Sequence, residues 1–256
     1  MTKIIKLILL RHGESVWNKE NKFTGWIDVS LSENGKAEAK SAGKILRDKK
    51  YYFDLVFESV LKRSNETTDI VLQKLKLTDK IKRIQAWQLN ERHYGSLQGL
   101  NKSEMAKKYG EEQVHKWRRR YSIRPPALTK NDKRYLEICK LKVPKNKLPL
   151  TESLKDTYSR VIPFFKSKIL PEIKNKKRIL ISAHGNSLRS LVKYLDKISD
   201  NKITELNIPT GVPLVYELRV DKKNNCKVIR HYYLGNSETV KKAIESVKKQ
   251  SIAKNN

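Results

Sequence analysis

Ile4-Ile5-Lys6-Leu7-Ile8-Leu9-Leu10-Arg11-His12-Gly13-Glu14-Ser15 decides the fold. A short, almost continuous apolar run ends in a charged, glycine-containing turn. Such a run reads as a strand covered on both faces. The pattern returns near the other end, where Arg178-Ile179-Leu180-Ile181-Ser182-Ala183 runs into His184-Gly185-Asn186. Two histidines, each leaving a buried strand and each followed by glycine, suggest one site built from both. Open α/β sheets place ligands in the crevice beyond the strand C-termini.

Between these turns the chain alternates. Ser32 is a plausible N-cap for a helix to about Lys49, with Ala39, Ala42, Ile45 and Leu46 as its inward stripe. Phe53–Phe57 reads as a second strand, and Ser64 to about Leu77 as a helix. A strand near Ile81–Trp87 leads into Leu89-Asn90-Glu91-Arg92-His93-Tyr94-Gly95. Residues 101–121 look like one helix ending in Trp117-Arg118-Arg119-Arg120-Tyr121. Residues 122–150 hold four prolines and many lysines with little periodicity, and are expected to be a lid-like excursion over the site. Glu152 to about Leu170 reads as a helix bent at Pro163. Asn186–Leu195 follows as a helix, then strands at Val215–Leu218 and Val228–Tyr233. The expected organisation is a single catalytic domain over 1–236 and a Lys-rich tail over 237–256, helical to about Lys248. The alternation favours a three-layer α/β/α fold with a mostly parallel central sheet.

Composition narrows the function classes. The 256 residues are 38% hydrophobic and 32% charged, which fits a globular chain with a substantial core. Lysines and arginines number 56 against 27 acidic residues, for a net charge of +29. The lysines spread over the whole length, whereas nucleic-acid binders tend to concentrate charge on one face. They read as a solvated surface whose field attracts small polyanions. No apolar stretch is long enough for a membrane span. The N-terminal run is too short for a secretory signal core, and Cys139 and Cys226 form no CxxC, so a cytoplasmic protein is expected. The five histidines show no HxH or HExxH spacing, so no metal is expected, and no nucleotide-binding glycine loop is present.

The residues past the strand ends support phosphoryl chemistry. A neutral His12 can attack phosphorus if one ring nitrogen is unprotonated and a backbone carbonyl fixes the other as N–H. Gly13 lets the backbone turn close to an anion. Arg11 and Arg63 can bind phosphate oxygens with their planar forks. Glu91 is the natural general acid/base, and His184 can stabilise developing charge. Arg118 and Arg119 beside Trp117 suit the clamping of a small anion.

These segments resemble the cofactor-dependent phosphoglycerate mutases of the histidine phosphatase superfamily. Arg11 through Ser15 indicates the superfamily. More specific are Trp17-Asn18, Asn21 through Trp26, Leu89 through Gly95, Leu97 through Lys102, Tyr109-Gly110, Trp117-Arg118-Arg119, Thr151 through Leu154, Ala183 through Arg189, and Leu206 through Glu217. The match covers about residues 4–236. The resemblance implies a phosphoglycerate mutase-like fold. It also implies interconversion of 3-phosphoglycerate and 2-phosphoglycerate in glycolysis and gluconeogenesis, on an enzyme primed by 2,3-bisphosphoglycerate. His12 would accept the phosphoryl group and Glu91 would shuttle the hydroxyl proton. His184, Arg63 and Arg11 would stabilise the transferring group. The resemblance places substrate contacts at Arg11, His12, Gly13, Glu14, Ser15, Val16, Trp17, Asn18, Thr24 and Gly25. Further contacts would come from Arg63, Glu91, Arg92, His93, Tyr94, Lys102, Arg118, Arg119, Gly185 and Asn186.

The resemblance further implies a homodimer or homotetramer acting on small phosphoglycerates, with no specific nucleic-acid partner. The sequence departs from the pattern in Glu58 for a threonine, Gln88 for a basic residue, and added charge at Arg120 and Arg124. The excursion lacks the usual Gly-His stretch, and the tail lacks its glycine near Gln250. The alternative within the superfamily is a bisphosphoglycerate synthase or phosphatase, and Ser15 disfavours the synthase. A basic nucleic-acid-binding protein is the alternative of another class, and would bind DNA with a steep salt dependence.

Overall fold

In the computed structural model, which describes residues 3–221, 223 and 225–249, the opening run forms β1 (Lys3–Arg11). Its alternate side chains enter two different cores. Ile5, Leu7 and Leu9 point to one face of the sheet, and Ile8 and Leu10 to the other. This is why the run is continuously apolar.

After a short helix α1 (Val16–Lys19), helix α2 (Glu33–Asp48) starts where Ser32 Oγ accepts the Gly35 N–H. Strand β2 (Leu55–Glu58), helix α3 (Lys62–Leu75) and strand β3 (Lys82–Gln85) follow. Helices α2 and α3 cover one face of the sheet through Ala42, Leu46, Val71 and Leu72. Gly43 lets them approach closely, since a Cβ there would lie 2.7 Å from that of Lys74.

The expected single helix over 101–121 is two, α4 (Lys102–Tyr109) and α5 (Glu111–Arg119). Gly110 separates them with φ +83 and ψ 143, a conformation left to glycine. The break folds Met105 and Ala106 of α4 and Val114 and Trp117 of α5 onto Phe23 and Leu97, as a separate small core. Lys102 of α4 and Arg118 and Arg119 of α5 are thereby brought to line one cavity.

Residues 122–150 contain one short α-helix, α6 (Lys133–Ile138), and a single 3-10 turn at Lys145–Lys147. They do not cover the site as expected. The Pro126 carbonyl accepts the Ser96 N–H, and Arg134 Nη1 donates to the carbonyls of Ser96 and Gln98. The segment braces the 93–98 loop from outside, and its buried Leu128 and Ile138 tie it to the body.

Helix α7 (Leu154–Phe164) passes Pro163 without stopping. One wide turn over Phe165–Ile169 carries it into α8 (Leu170–Lys174). Wide turns of this kind absorb a break in the helical hydrogen-bond ladder. Phe165, Ile169 and Ile173 thus keep facing the core. Strand β4 (Ile179–Ala183), helix α9 (Gly185–Leu195), strands β5 (Leu214–Val220) and β6 (Cys226–Tyr233), and helix α10 (Ser237–Lys249) complete the chain. The expected tail beyond residue 249 lies outside the described residues.

The sheet order is β3-β2-β4-β1-β5-β6. Pairs β3–β2, β2–β4 and β4–β1 are parallel, and β5 runs antiparallel to both of its neighbours. Helices α7, α8 and α9 cover the face opposite α2 and α3. The result is three layers around a mostly parallel sheet. Among the described residues no helix is long and apolar enough to cross a membrane.

The turn after β1 passes over the start of α2 with no room for a side chain. A Cβ on Gly35 would lie 1.9 Å from the Glu14 carbonyl oxygen. Gly35→Ala should therefore destabilise the protein by about 1–3 kcal/mol, as overpacking against backbone does. Urea unfolding measures it, and an unchanged midpoint would show that the turn gives way freely.

Candidate active site

Register explains why the two His-Gly turns meet. Arg11 pairs with Ala183 in the parallel ladder of β1 and β4, so His12 and His184 are the next pair. The His12 N–H extends the ladder to the Ala183 carbonyl at 3.0 Å. The ring centroids lie 4.9 Å apart at 60°. The imidazoles are near neighbours on one side of the crevice, and do not face each other across it.

The His12 ring has a fixed tautomer. Nδ1 lies 2.6 Å from the Gly13 carbonyl oxygen, which can only accept, so Nδ1 carries the proton. Nε2 is left with a lone pair, and Arg63 Nε donates toward it at 3.3 Å. Burial, then the charges of Arg63 and Arg11, hold His12 well below the ordinary histidine range. His184 is held down in the same way by burial and by Arg63. Its Nε2 shares a proton with Ser59 Oγ at 2.7 Å, and its Nδ1 is buried with no hydrogen-bond partner among the described residues.

Around His12 opens a cavity of about 630 Å³, part of it exposed to solvent. It lies at the carboxyl ends of β1, β2 and β4, where a doubly covered sheet leaves its crevice. Arg11 arrives at the end of β1, Arg63 in the first turn of α3, and Gly185 and Asn186 in the first turn of α9. Lys102 comes from α4, and Arg118 and Arg119 from α5.

Arg11 is aimed by the Leu206–Glu217 segment. Its Nη1 donates to the Ile208 carbonyl at 2.7 Å, and its own carbonyl accepts the Gly211 N–H. Glu91 is held by one carboxylate oxygen. Oε1 accepts the N–H groups of Arg92 and Asn186 and the Asn186 amide, at 2.7, 3.0 and 2.8 Å. Oε2 is the oxygen left for a ligand, and lies beside Gly185.

The described lining has seven cationic side chains and one carboxylate. The cations are Arg11, Lys22, Arg63, Lys102, Arg118, Arg119 and Arg189, and the carboxylate is Glu91. Burial, reinforced by neighbouring cations, lowers Arg118 to about 9, and burial lowers Arg63 and Arg119 to about 10. Burial also drives Lys102 well below the ordinary lysine value. Arg11 Nε, Arg118 Nη1, Arg189 Nε and Thr24 Oγ1 are buried with no partner among the described residues. Buried cations and donors in this state call for an anionic ligand rich in acceptors. Among the described residues no cluster of His, Cys, Asp and Glu is arranged to hold a metal ion.

Of the residues expected to touch substrate, Arg11, His12, Asn18, Thr24, Gly25, Arg63, Glu91, Tyr94, Lys102, Arg118, Arg119, Gly185 and Asn186 line the cavity. Gly13, Glu14, Ser15, Val16, Trp17, Arg92 and His93 do not. The Gly13 N–H is committed to Thr67 Oγ1, and Glu14 Oε1 to the Ser32 hydroxyl. Ser15 caps α1, and Val16 points outward. Trp17 lies alongside Lys22 and Gly99. Arg92 stacks on the Tyr94 ring and donates to the Arg118 carbonyl. His93 Nδ1 accepts the Gly95 N–H. His184 stands behind the lining, fully buried.

Sequence reading assigned no role to five lining residues: Lys22, Phe23, Arg189, Ile208 and Val247. Arg189 is one helical turn from Asn186, whose Oδ1 accepts from its Nη1 at 2.8 Å, and that spacing could have revealed it. Val240, Ile244 and Val247 recur at helical spacing, which marks α10 as a helix with a buried side.

The neutral histidines have a measurable cost. His12, His184 and His93, the last lowered to about 3 by burial, stay uncharged in the fold. Unfolded, each takes a proton as pH falls through about 6.5. The unfolded state then binds more protons, so stability falls by about 1.4 kcal/mol per pH unit for each ring until its folded pKa is reached. Urea unfolding between about pH 6.5 and 4 should show this slope, and His93→Gln should remove one ring's share. An unchanged slope in that variant would contradict burial as the cause.

A neutral imidazole with a fixed free nitrogen, ringed by guanidinium groups that outnumber the one lining carboxylate among the described residues, makes this a phosphoryl-transfer enzyme by class. Comparison with known proteins gives the family. The model of the histidine phosphatase superfamily, branch 1, matches residues 7–229, and the chain belongs to that superfamily.

Solved structures sharing the fold include a protein titled mycobacterial hydrolase 1, at 18% identity and TM-score 0.69, covering 89% of this chain and 97% of that one. Another is a mycobacterial glucosyl-3-phosphoglycerate phosphatase in complex with VO3, at 19% identity and TM-score 0.66, covering 88% and 98%. A third is a putative alpha-ribazole-5'-P phosphatase from Escherichia coli, at 19% identity and TM-score 0.65, covering 91% and 96%. At these identities the likeness is one of fold.

Proposed function

We propose that the chain interconverts 3-phosphoglycerate and 2-phosphoglycerate through a phosphohistidine on His12, primed by 2,3-bisphosphoglycerate. The observation that carries this reading is the cation excess of the cavity. Arg11 and Arg63 flank His12 and suffice for one phosphoryl group. Lys102, Arg118, Arg119 and Arg189, from three further helices, call for additional anionic groups on the same ligand. A small molecule with two phosphates and a carboxylate supplies them.

In the proposed reaction the His12 Nε2 lone pair forms a bond to phosphorus as the bond to the ester oxygen breaks. That oxygen leaves with the electron pair and takes a proton from Glu91 Oε2. Return transfer runs the same steps in reverse, onto the other hydroxyl, with Glu91 accepting the proton. Arg11 and Arg63 offset charge on the transferring group, and His184, packed behind His12, backs the attacking ring. Val247 of α10 and the helices α4 and α5 narrow the mouth of the site, which limits the access of water to the phosphohistidine.

The test is a coupled mutase assay with and without 2,3-bisphosphoglycerate. Isomerisation that depends on the bisphosphate is expected, and it should survive EDTA. Release of inorganic phosphate without isomerisation would make the protein a phosphatase instead. The same reading entails a cytoplasmic homodimer or homotetramer, which light scattering at micromolar concentration would detect.

A further inference from the structure

Arg160 does not touch the cavity, yet it is wired to the backbone that presents Glu91. It sits in α7, and its side chain is only 8% exposed. All five of its N–H groups have acceptors. Nε donates to Glu152 Oε1 at 2.7 Å. Nη2 donates to Glu152 Oε2 and to the Glu91 carbonyl, both at 2.9 Å. Nη1 donates to the carbonyls of Gln88 and Asn90 at 2.7 and 3.1 Å. Two more bonds complete the clamp. Trp26 Nε1 donates to the Glu91 carbonyl at 2.5 Å, and Glu152 Oε2 accepts the His93 N–H at 2.8 Å. The Arg160 guanidinium also lies over the Trp26 ring, 5.4 Å from its centre.

We propose that Arg160, held by Glu152 and assisted by Trp26, is the positioning residue that aims the Glu91 carboxyl at the ester oxygen of the substrate. This rests on the acid/base role given to Glu91 above. The clamp gathers three carbonyls onto the rear of the 88–91 turn, and the Glu91 side chain emerges on the cavity side. There Asn186 and the Arg92 N–H fix Oε1, so the position of Oε2 follows from the position of the backbone. A planar five-donor fork can hold two carboxylate oxygens and three carbonyls together. A lysine ammonium, with three donors on one atom, cannot. Misplacement of an acid by a fraction of an ångström to one ångström weakens proton delivery and leaves attack by His12 intact.

This distinction sets the experiment. Transfer from 2,3-bisphosphoglycerate expels an alkoxide that must be protonated. Transfer from p-nitrophenyl phosphate expels a phenolate that leaves unaided. Single-turnover phosphorylation of the full chain is measured with both donors for wild type, Glu91→Gln, Arg160→Lys and Trp26→Phe. Near-ultraviolet circular dichroism reports folding.

Arg160→Lys should slow transfer from the bisphosphate by about 10²-fold and leave transfer from the aryl phosphate within about threefold, the same signature as Glu91→Gln. Trp26→Phe should show the signature at roughly tenfold, and it decides the matter if Arg160→Lys fails to fold. Equal slowing with both donors, or no slowing with either, would overturn the proposal. A selective Glu91→Gln beside a non-selective Arg160→Lys would overturn the positioning role alone. A non-selective Glu91→Gln would overturn the role of Glu91, and a wild type phosphorylated only by the aryl donor would overturn the mutase reading.

Discussion

His12→Ala is expected to lower turnover by on the order of 10⁴-fold or more, the scale seen when a covalent nucleophile is deleted. It should also abolish incorporation of acid-labile phosphate. The structure gives the reason in three parts. Nδ1 is committed to the Gly13 carbonyl, so the ring has only one nitrogen with which to attack. That nitrogen already receives an N–H from Arg63, which can turn to a phosphoryl oxygen once the Nε2–P bond forms. Burial keeps the ring unprotonated well below neutral pH, so the attacking form needs no activation by a separate base. His184 is not placed to substitute, because it stands fully buried behind the lining with its Nε2 engaged by Ser59 Oγ. Turnover within tenfold of wild type in the variant would remove His12 from the proposed chemistry.

Glu91→Gln should cost about 10²- to 10⁴-fold in turnover, the usual contribution of a positioned acid or base. The substitution is conservative where the fold needs it. The amide oxygen can still accept the three N–H groups now held by Oε1, so the cavity should keep its shape. Only the second oxygen is exchanged, for an –NH₂ that neither delivers nor takes up a proton at neutral pH. The loss should therefore fall on kcat, with KM for 3-phosphoglycerate changed by less than about threefold. A rise in KM at constant kcat would make Glu91 a binding group.

Much of this arrangement could be read from residue order, because strand ends are strong signals. Two apolar runs stopping at His-Gly fixed which strands carry the histidines, and parallel pairing brought them together. Parallel register itself was not legible, so the one site expected of both histidines could be foreseen, but not that the two rings would be next-door partners across the β1–β4 ladder, 4.9 Å apart. The break at Gly110 was missed because periodicity continues across it, while only the backbone conformation at that residue turns the chain. The 122–150 segment looked like a lid because proline and lysine suppress periodicity. Its buried Leu128 and Ile138, with Arg134, instead make it a brace.

Charge told least. Arg160, Arg189 and surface lysines are alike in a sequence, and what separates them is how many acceptors the fold places around each. Glu58, a departure from the family pattern, is explained by a partner distant in sequence. Its buried carboxylate takes both Nε and Nη2 of Arg83, at 3.1 and 2.9 Å. Arg124, another departure, pairs with Asp156.

The most direct test of the proposed chemistry is the site of phosphorylation. Enzyme mixed with 2,3-bisphosphoglycerate is quenched in alkali, which preserves phosphoramidates, and the linkage is read by phosphorus and nitrogen NMR with peptide mapping. Phosphate on Nε2 of His12 is the predicted result. Phosphate on Nδ1 of that ring, on His184, or on no histidine at all would contradict it.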